Sequence, residues 1–507
     1  MQRLNGRPAA CLEPVILIHF ADVLLVRKQI LPEEVRPTLP EITPEELEKL
    51  ILEVADPQIT QIKPSEPRRI ADLGNLLGRI QERVKQERVA GGLTREHCQA
   101  KTLDLTGCEF GAVDYSETVP VAVKFNAGRF HDEVNFANAT FLGPVDFIDA
   151  QFLDSVKFVE TRFAADAILI SAKFSAEVSF FEAQFSGRAY FFEVTFGVDV
   201  SFMSVNFDGE AVFSDSTFSG RADFYSSKFA NATLFRRANF SKEVSFRSSK
   251  FSDVVDFHTA RCADVSFYQC QFIEAVYFRS ASCSDLRIDA CRVEKVFDCR
   301  DSTLKALSVE GISGSGELHL DPDQLIVAQC RGRLLGEADL ATLPKGNRRE
   351  VLTKLARQYQ YLRDNFSRIT SPDEIEDFCA YMHLEYKRRA KPNWLLRVFD
   401  WFFYKWLTGY GVRLRQVFVN GAIVIGLFTL IWWWAGSCGC VLGTDDLPAK
   451  PWSFGQALYF SMITFTTIGY GDLHPVRWAR YLAGVEGLLG VISVSLFVVL
   501  YSRKIIR

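Results

Sequence analysis

The chain has 507 residues, 24% of them charged, and a formal net charge of −4. This length predicts several domains, and the near-neutral charge argues against a polybasic nucleic-acid surface and against an extended acidic tail, so no nucleic-acid partner is expected. The unusual figure is a count of 43 Phe residues, most of which fall in one stretch with a fixed spacing and therefore indicate a repeat.

Residues 1–100 are predicted to form a partly helical N-terminal region, to which the sequence assigns no function. Thr43 followed by Pro44 and two glutamates is typical of a helix start, and an apolar periodicity then continues to about Ala55. A charged amphipathic stretch follows at residues 68–90. Both patterns predict helices.

An apolar run occupies residues 14–26 near the start of this region. It is too short to cross a bilayer, it does not have the form of a secretory signal, and it contains His19 and Asp22. We therefore predict a buried helix or strand there.

Residues 101–320 are predicted to form one repeat domain, in which Phe recurs from Phe125 to Phe257 at intervals that mostly alternate between five and six residues. The unit is Val-x-Phe-x-x-Ala-x-Phe-x-x-x, and residues 145–152 are one clear copy. A small or β-branched residue lies two positions before most of the Phe residues. Its side chain and that of the Phe therefore point to the same side of an extended backbone. A coil with four corners and one Phe on each side would use two units, about 22 residues, and successive coils would stack about 4.8 Å apart.

This pattern resembles the pentapeptide-repeat family, whose chains fold as right-handed quadrilateral β-helices with Leu or Phe pointing inward. Strict members keep a period of five, whereas this chain adds one residue in every second unit. An ordinary β-sandwich would need Gly, Pro or Asn turn clusters every 8 to 12 residues, which this stretch does not have. We predict about eight regular coils, a phase slip of one residue after Phe257, and a weaker continuation through Ile288, Val293 and Leu304.

Two further expectations concern this repeat. Cys262 and Cys283 replace Phe in the pattern and are interpreted as buried small hydrophobic residues. Some pentapeptide-repeat proteins mimic DNA through an acidic face, but the acidic excess here is mild, which favours a scaffold or sensor that binds an unidentified cytoplasmic protein or ligand.

Residues 336–392 change to helical periodicity and predict an antiparallel helical hairpin that links the repeat to the rest of the chain. Its second helix is predicted to begin at Ser371 and Pro372, a hydroxyl cap with proline at the first helical position. Residues 393–413 are rich in aromatic residues but interrupted by charges, which is typical of an amphipathic segment in the membrane interface. A buried helix is the alternative.

Residues 414–507 contain two apolar segments that predict membrane-spanning helices at about 416–435 and 481–501. The first ends in three tryptophans, 432–434, interpreted as an aromatic anchor at one interface. Lys and Arg lie before the first span and after the second, which places both termini in the cytoplasm. We expect a multi-pass protein of the cell (inner) membrane in contact with the lipid bilayer.

A shorter apolar stretch lies between the two spans. Ser453, with Gln456 three residues on, has the pattern of a helix cap, so a re-entrant pore helix is predicted at about 453–465. The sequence Thr-Thr-Ile-Gly-Tyr-Gly-Asp follows at 466–472. A dehydrated potassium ion needs a ring of oxygens, and successive carbonyls can face one axis only with unusual dihedral angles, which Gly469 and Gly471 permit. One chain cannot close such a ring, so four must meet on a symmetry axis.

This region, about the last 95 residues, resembles potassium channels of the two-transmembrane type. The resemblance implies potassium sites at the carbonyls of Thr467, Ile468, Gly469 and Tyr470, together with the Thr467 hydroxyl. It implies filter support by Thr466, Gly471, Asp472 and Tyr459, a gating hinge at Gly490, and a cavity lined by Val491, Val494 and Val498. Permeant potassium ions are expected, and no cofactor.

Glu486 is an ionisable residue inside the second span and is therefore a candidate functional residue. We predict that it packs behind the filter, bonded to the re-entrant helix, rather than lining the water path. A functional role stays open beside the structural one.

The sequence as a whole predicts a multidomain membrane protein with a β-helix, a helical hairpin linker and an all-α tetrameric pore domain. The favoured function is a homotetrameric potassium channel whose cytoplasmic β-helix regulates gating or assembly. The alternative is an interaction scaffold anchored by a non-conducting or weakly selective pore. No nucleophile and base, metal cluster or phosphate loop stands out in the sequence, so an enzyme is not expected.

Overall fold

The computed structural model describes residues 39–321, 334, 337, 340, 343–369, 373–406, 409–411, 414–437, 442–443, 452–475 and 478–506. The chain divides into two compact units, Met1–Ala338 and Asp339–Arg507. The apolar run at 14–26 and the predicted cap at 371–372 lie outside the described residues.

Among its described residues, 39–100, the N-terminal region contains three helices, α1 (Pro44–Ala55), α2 (Leu73–Val89) and α3 (Arg95–Gln99). The predicted start of α1 is confirmed, because the Thr43 side chain accepts a hydrogen bond from the Glu46 N–H and proline occupies the first turn. α1 packs against α2. Their buried apolar residues are Leu50, Ile51 and Val54 in α1, and Leu73, Leu76, Leu77, Ile80 and Val84 in α2.

The β-structure begins before the predicted boundary at residue 101. Gln61–Ile62 pairs in parallel with Thr102–Asp104, and Arg69–Ile70 pairs in parallel with Glu109–Phe110. α2 and α3 are therefore an insertion between the first coil of a solenoid and the next. This first coil was not predicted from the sequence because its two strands carry no Phe repeat.

Short parallel strands form four ladders, one on each face of the solenoid. Face 1 comprises Gln61–Ile62, Thr102–Asp104, Ala122–Lys124, Val145–Asp146, Ala167–Ile168, Ala189–Tyr190, Ala211–Val212, Thr233–Leu234, Val255–Asp256, Val276–Tyr277, Val296–Asp298 and Glu317–His319. Face 2 comprises Arg69–Ile70, Glu109–Phe110, Arg129–Phe130, Gln151–Phe152, Lys173–Phe174, Thr195–Phe196, Thr217–Phe218 and Asn239–Phe240. Face 3 comprises Val113–Asp114, Val134–Asn135, Val156–Lys157, Val178–Ser179, Val200–Ser201, Ala222–Asp223 and Val244–Ser245. Face 4 comprises Thr118–Val119, Thr140–Phe141, Arg162–Phe163, Gln184–Phe185, Asn206–Phe207, Lys228–Phe229, Lys250–Phe251, Gln271–Phe272 and Arg292–Val293.

Beyond these ladders, three longer strands replace the separate strands of faces 2 and 3. They are Arg261–Tyr268, Ser282–Asp289 and Thr303–Ser308. Arg261–Tyr268 pairs with the last strands of both faces, so the corner between those faces disappears there.

The register confirms the predicted quadrilateral coil of two units. On face 4, Phe141 pairs with Phe163, and Phe163 pairs with Phe185, a separation of 22 residues at each step. After the predicted phase slip, Phe251 pairs with Phe272 and Phe272 with Val293, a separation of 21 residues. The coil continues to Glu317–His319, beyond the eight regular coils.

The corner within each five-residue Phe interval has a left-handed backbone, whereas the inserted residue lies in the six-residue interval. Asp149 has φ 57°, and the Ala150 N–H donates to the Phe147 carbonyl at 3.1 Å, which closes a tight turn with positive φ at its third position. Positive φ recurs every eleven residues from Ala127 to Thr259. This position is not reserved for glycine, because the paired strands on both sides of the corner hold the backbone in place.

The solenoid core is a set of stacked phenylalanine columns. Phe130 lies 4.5 Å from Phe152, and Phe152 lies 4.6 Å from Phe174, measured between ring centroids, with nearly parallel planes. Each of these side chains is buried, so every ring is covered by the coil on either side. Cys262 and Cys283 are also buried, which confirms their interpretation as hydrophobic replacements for Phe.

The second unit is helical. The α-helices within its described residues are α4 (Lys345–Arg368), α5 (Asp373–Ala390), α6 (Trp394–Asp400), α7 (Leu414–Ser437), α8 (Phe454–Phe465) and α9 (Ala479–Ile506). A π-helical turn, Trp401–Trp406, continues α6, and a single 3₁₀ turn covers Gly409–Gly411. Leu442–Gly443 pairs antiparallel with His474–Pro475.

α4 and α5 form the predicted hairpin, in which Tyr359 packs against Phe378 and Tyr386. Two other helices are long and apolar enough to cross a membrane, with candidate spans Arg415–Gly436 and Ala479–Ser502. α8 lies between them in the sequence and packs against both.

Candidate ion-conduction site

The helix before the filter sequence begins at the predicted cap. The Ser453 hydroxyl accepts from the Gln456 N–H at 3.3 Å, and the Gln456 side chain accepts from the Ser453 N–H at 3.0 Å. This reciprocal capping box satisfies two N–H groups that the first turn would otherwise leave unpaired. α8 then ends at Phe465, directly before the filter sequence.

The filter sequence has positive φ at every second residue. The values are 60° at Thr467, 51° at Gly469 and 77° at Gly471. Such alternation lets successive carbonyls face the same side of the chain, which is the requirement for a column of oxygen ligands. The glycines were predicted from sequence, but the left-handed conformation of Thr467 was not, because a β-branched residue rarely adopts it.

Thr467 is held in this conformation by the end of α8. Its N–H donates to the Thr464 carbonyl at 3.1 Å, and the next N–H, of Ile468, donates to the Ile463 carbonyl at 3.0 Å. These two bonds fix the start of the filter to the last turn of the helix, so the unfavourable dihedral is set by its surroundings.

The filter is open on one side in a single chain. Residues 466–472 are all exposed, and the side chains of Ile468 and Tyr470 are 57% and 72% accessible. Exposed apolar side chains beside an ordered backbone indicate a surface that further copies of the chain could cover.

The carboxyl-terminal end of the filter sequence is connected to α8 by a side-chain contact. The Tyr459 hydroxyl hydrogen-bonds the Asp472 carboxylate. Both residues were expected to support the filter, and their contact joins the middle of α8 to the residue that follows Gly471.

Glu486 connects all three helices of this region. Its carboxyl group accepts from the Trp432 indole N–H at 2.8 Å and is hydrogen-bonded to the Ser461 hydroxyl, which also contacts the Ile425 carbonyl at 3.0 Å. Glu486, Trp432 and Ser461 are fully buried. The predicted contact between Glu486 and the re-entrant helix is therefore present, with α7 as a second partner.

The interpretation of Trp432 as an interface anchor was wrong. Trp432 is fully buried, whereas Trp433 and Trp434 are 46% and 64% exposed. Consecutive residues of a helix point in different directions, and Trp432 shares its face with Phe428 and Ala435, which are also buried. That spacing could have separated it from the other two tryptophans.

Two glycines of α9 lie against the end of α8. A Cβ atom on Gly490 would lie 1.8 Å from the Phe465 carbonyl oxygen, and one on Gly487 would lie 3.6 Å from the Thr464 carbonyl oxygen. Gly490 therefore permits a close approach between helices, and α9 continues through it without a break. The hinge at Gly490 stays a prediction.

Val491, Val494 and Val498, the predicted cavity residues, follow Gly490 on α9 at spacings of three and four. They are 49%, 51% and 53% exposed in the single chain. Residues at these spacings lie on neighbouring parts of one helix face. That they line a cavity stays a prediction, since it would require several copies of the chain.

A polar cluster near the start of α7 was not predicted from sequence. Glu385 of α5 accepts from Arg388 at 2.7 Å and from the Tyr410 hydroxyl at 2.9 Å, and it pairs with Lys405 at 3.3 Å. Burial acts to raise the pKa of Glu385, but the hydrogen bonds from Arg388 and Tyr410 outweigh it and hold the pKa below its ordinary value. We call Glu385, Arg388, Lys405 and Tyr410 the Glu385 cluster.

The Glu385 cluster is joined to α7 through the π-helical turn. The Gln416 side-chain amide donates to the Trp406 carbonyl at 2.8 Å, and the Asn420 side-chain amide donates to the same oxygen at 2.5 Å. A continuous set of polar contacts thus runs from the hairpin to the first candidate span.

Comparison with known proteins agrees with this geometry. Residues 423–507 match a family described as an ion channel, and residues 129–173 match one described as pentapeptide repeats (9 copies). A relative from Caenorhabditis elegans, "TWiK family of potassium channels protein 18", is 40% identical over 57 residues. That alignment covers 11% of this chain and 12% of the relative.

No solved structure matches the chain. Neither of the two matched families is a family of enzymes. The sequence motifs, the four-sided solenoid, the two candidate spans and the family matches together identify a membrane protein that joins a pentapeptide-repeat β-helix to an ion-channel domain.

Proposed function

We propose that four copies of this chain form a potassium-selective channel in the cell (inner) membrane. The observation that carries the proposal is the backbone of residues 466–472, where a potassium-channel filter sequence has positive φ at every second residue. Carbonyls of Thr467, Ile468, Gly469 and Tyr470, with the Thr467 hydroxyl, would replace the water around a permeant potassium ion.

The open side of the filter supports the tetramer. Rings of carbonyl oxygens need several chains around one axis, and the exposed Ile468 and Tyr470 side chains would be covered by such neighbours. The second candidate span, Ala479–Ser502, buries only 11% of its most apolar window within one chain, compared with 33% for the first. α9 therefore has the most surface left for other subunits or lipid.

The position of α8 favours cations. α8 ends at Phe465, next to the filter, and the carboxyl end of a helix carries a partial negative charge of about half an elementary charge. In the proposed tetramer four such ends would lie around the inner end of the filter.

We further propose that the β-helix is cytoplasmic and acts on gating through the hairpin, with both termini on the cytoplasmic side. The supporting contacts are those of the Glu385 cluster, which join α5 to the π-helical turn, and the amides of Gln416 and Asn420, which join that turn to α7. Displacement of the hairpin would thereby reach the first span.

Potassium flux into liposomes containing the purified full-length chain tests the proposal. The parent should conduct, and Gly469→Ala should abolish flux, because an added Cβ disfavours the positive φ at this position. Gly426→Ala is a matched control on α7, where a new Cβ meets no atom within 4 Å, and it should conduct normally. A well-folded parent without flux would favour the alternative, a membrane-anchored scaffold.

A further inference from the structure

A groove lies on the outer surface of face 3, where it extends over three consecutive coils of the solenoid. Its volume is about 350 Å³, which is within the range of small-molecule sites in proteins. The side chains that line it include Met203, Arg221, Asp223, Tyr225, Glu243 and Arg247. The groove is therefore large enough for one small molecule.

The register of the coils explains the shape of the groove. Ser201 pairs with Asp223, and Asp223 pairs with Ser245, so residues 22 positions apart are stacked on this face. Two such columns form the walls: Met203, Tyr225 and Arg247 follow the strands, and Arg221 and Glu243 precede them. The floor between the walls contains Asp223 and Ser245, whose side chains are shorter than those of either wall.

Within the described chain, the charged side chains of the two walls, Arg221, Glu243 and Arg247, form no ion pair. Charges 22 residues apart can pair on this solenoid, as Arg237 does with Asp215 at 2.6 Å. Arg221 and Glu243 have the same separation in sequence. The charges of the groove are thus available to a ligand.

The floor adds a second carboxylate, and one wall adds an apolar surface. The Oδ1 atom of Asp223 accepts from the Tyr225 N–H at 3.0 Å, while its Oδ2 atom has no hydrogen bond to any described residue. Tyr225 is 43% exposed, and Met203 beside it is half-buried. The groove therefore combines guanidinium groups, carboxylates and an aromatic ring within one small volume.

We propose that this groove binds a free aromatic α-amino acid. The ligand carboxylate pairs with the guanidinium groups of Arg221 and Arg247, and the ligand ammonium group pairs with the carboxylates of Asp223 and Glu243. The aromatic side chain packs against the wall that contains Tyr225, where ring–ring and sulfur–ring contacts are both available.

The balance of charges in the groove favours a zwitterion over an ion of one sign. A net anion such as phosphate would lie beside two carboxylates, and a net cation would lie beside two guanidinium groups, so each would meet repulsion. An amino acid carries both charges and satisfies both sets of groups. This assignment does not depend on the proposed channel function, since the groove belongs to the solenoid and binding is measured without ion flux.

Ligand-observed NMR on the purified full-length protein tests the assignment, with L-phenylalanine as the probe. Saturable binding is expected, with a dissociation constant of about a millimolar or below. Hydrocinnamate lacks the ammonium group and phenethylamine lacks the carboxylate, and each should bind at least about ten-fold more weakly. Absence of saturable L-phenylalanine binding, or equally tight binding of either analogue, would overturn the proposal.

Substitutions in the groove locate the binding. Arg247→Gln and Glu243→Gln each remove one charged partner of the ligand and should weaken L-phenylalanine binding at least about ten-fold. Arg162→Gln on face 4 and Glu177→Gln on face 3 remove exposed charges outside the groove, and both should bind as the parent does. Unchanged affinity in both groove variants, or an equal loss in the two controls, would contradict binding in this groove.

Discussion

The solenoid and the filter both use backbone with positive φ, and they stabilise it in opposite ways. In the solenoid, Asp149, Glu160 and Ser171 all adopt it at equivalent corners, because strand ladders repeat the same contacts on both sides. In the filter, Gly469 and Gly471 supply it through residue type, and Thr467 is held by the last turn of α8. In a repeated structure, residues of many types can adopt positive φ, whereas a site without repeated neighbours depends on particular residue types or contacts.

This difference predicts that the substitutions that reduce stability most are not the ones that change conduction most. A core substitution in the solenoid should lower the free energy of unfolding strongly and change conduction little. A substitution among the unique contacts of the channel unit should lower the free energy of unfolding less and change conduction more.

Phe202→Ala should give the largest loss of stability. Phe202 is fully buried and stacks 4.8 Å from both Phe180 and Phe224. Its removal leaves a cavity and should lower the free energy of unfolding by about 3–5 kcal/mol. Chemical denaturation of the solenoid should show this loss, while the ion selectivity of the remaining folded protein stays unchanged. Ser201→Ala, at the neighbouring outward position, should be within about 0.5 kcal/mol of the parent. Altered selectivity in Phe202→Ala would break the separation between the two regions.

Glu486→Ala should destabilise the channel unit by about 2–4 kcal/mol, because it leaves a cavity and an unpaired Trp432 N–H in a buried site. Thermal unfolding of the detergent-solubilised protein, followed by tryptophan fluorescence, measures the change.

Glu486→Gln is the matched control. The Ser461 hydroxyl has one hydrogen but contacts two oxygens, those of Ile425 and Glu486. A glutamine can accept from Trp432 with its oxygen and donate to Ser461 with its amide, so all three contacts are satisfied. We expect stability close to that of the parent, and a loss equal to that of Glu486→Ala would show that a negative charge is required.

Gly490→Ala should cost about 1–3 kcal/mol and abolish conduction, because the new methyl group would overlap the Phe465 carbonyl and push α8 away from α9. Gly484→Ala, where a new Cβ meets no atom within 4 Å, is the control on the same helix. Potassium flux and thermal unfolding should be measured together. Normal flux in Gly490→Ala would show that the close approach of α8 and α9 is not needed for function.

Glu385→Ala should have the smallest effect on stability, about 1–2 kcal/mol, and should change open probability without changing selectivity. It removes the common partner of Arg388, Lys405 and Tyr410 and so disconnects the hairpin from the π-helical turn. Glu350→Ala, which removes an exposed pair with Lys354 on α4, is the control. Single-channel recording provides the comparison, and equal open probabilities would remove the Glu385 cluster from the gating proposal.

The pH dependence of the Glu385 cluster has a definite sign. Because the pKa of Glu385 is lower in the folded protein than its ordinary value, its contribution to stability is complete above the ordinary value. The contribution should be lost as the pH falls through the lowered pKa. Unfolding measured across the acidic range should therefore show a steeper loss of stability in the parent than in Glu385→Ala.

Sequence reasoning succeeded where the signal was local or periodic. The Phe spacing predicted the 22-residue coil and its phase slip, and Ser453 with Gln456 predicted the start of α8. These features depend on residues close in sequence or on a repeat that can be counted.

The remaining features depend on contacts between distant residues. The left-handed corner at Asp149 follows from ladders on either side rather than from residue type. Trp432 and Ser461 are partners of Glu486 because three helices meet, and the Glu385 cluster joins residues up to 25 positions apart. The strands at 61–62 and 69–70 are recognised only by their pairing across α2 and α3.

The reversal potential of the reconstituted full-length protein under bi-ionic conditions, potassium on one side and sodium on the other, tests the central claim most directly. The alternating backbone of residues 466–472 predicts a reversal potential set by potassium, and no current in Gly469→Ala. A current that reverses near zero, with sodium and potassium equally permeant, would contradict the assignment of this segment as a potassium filter.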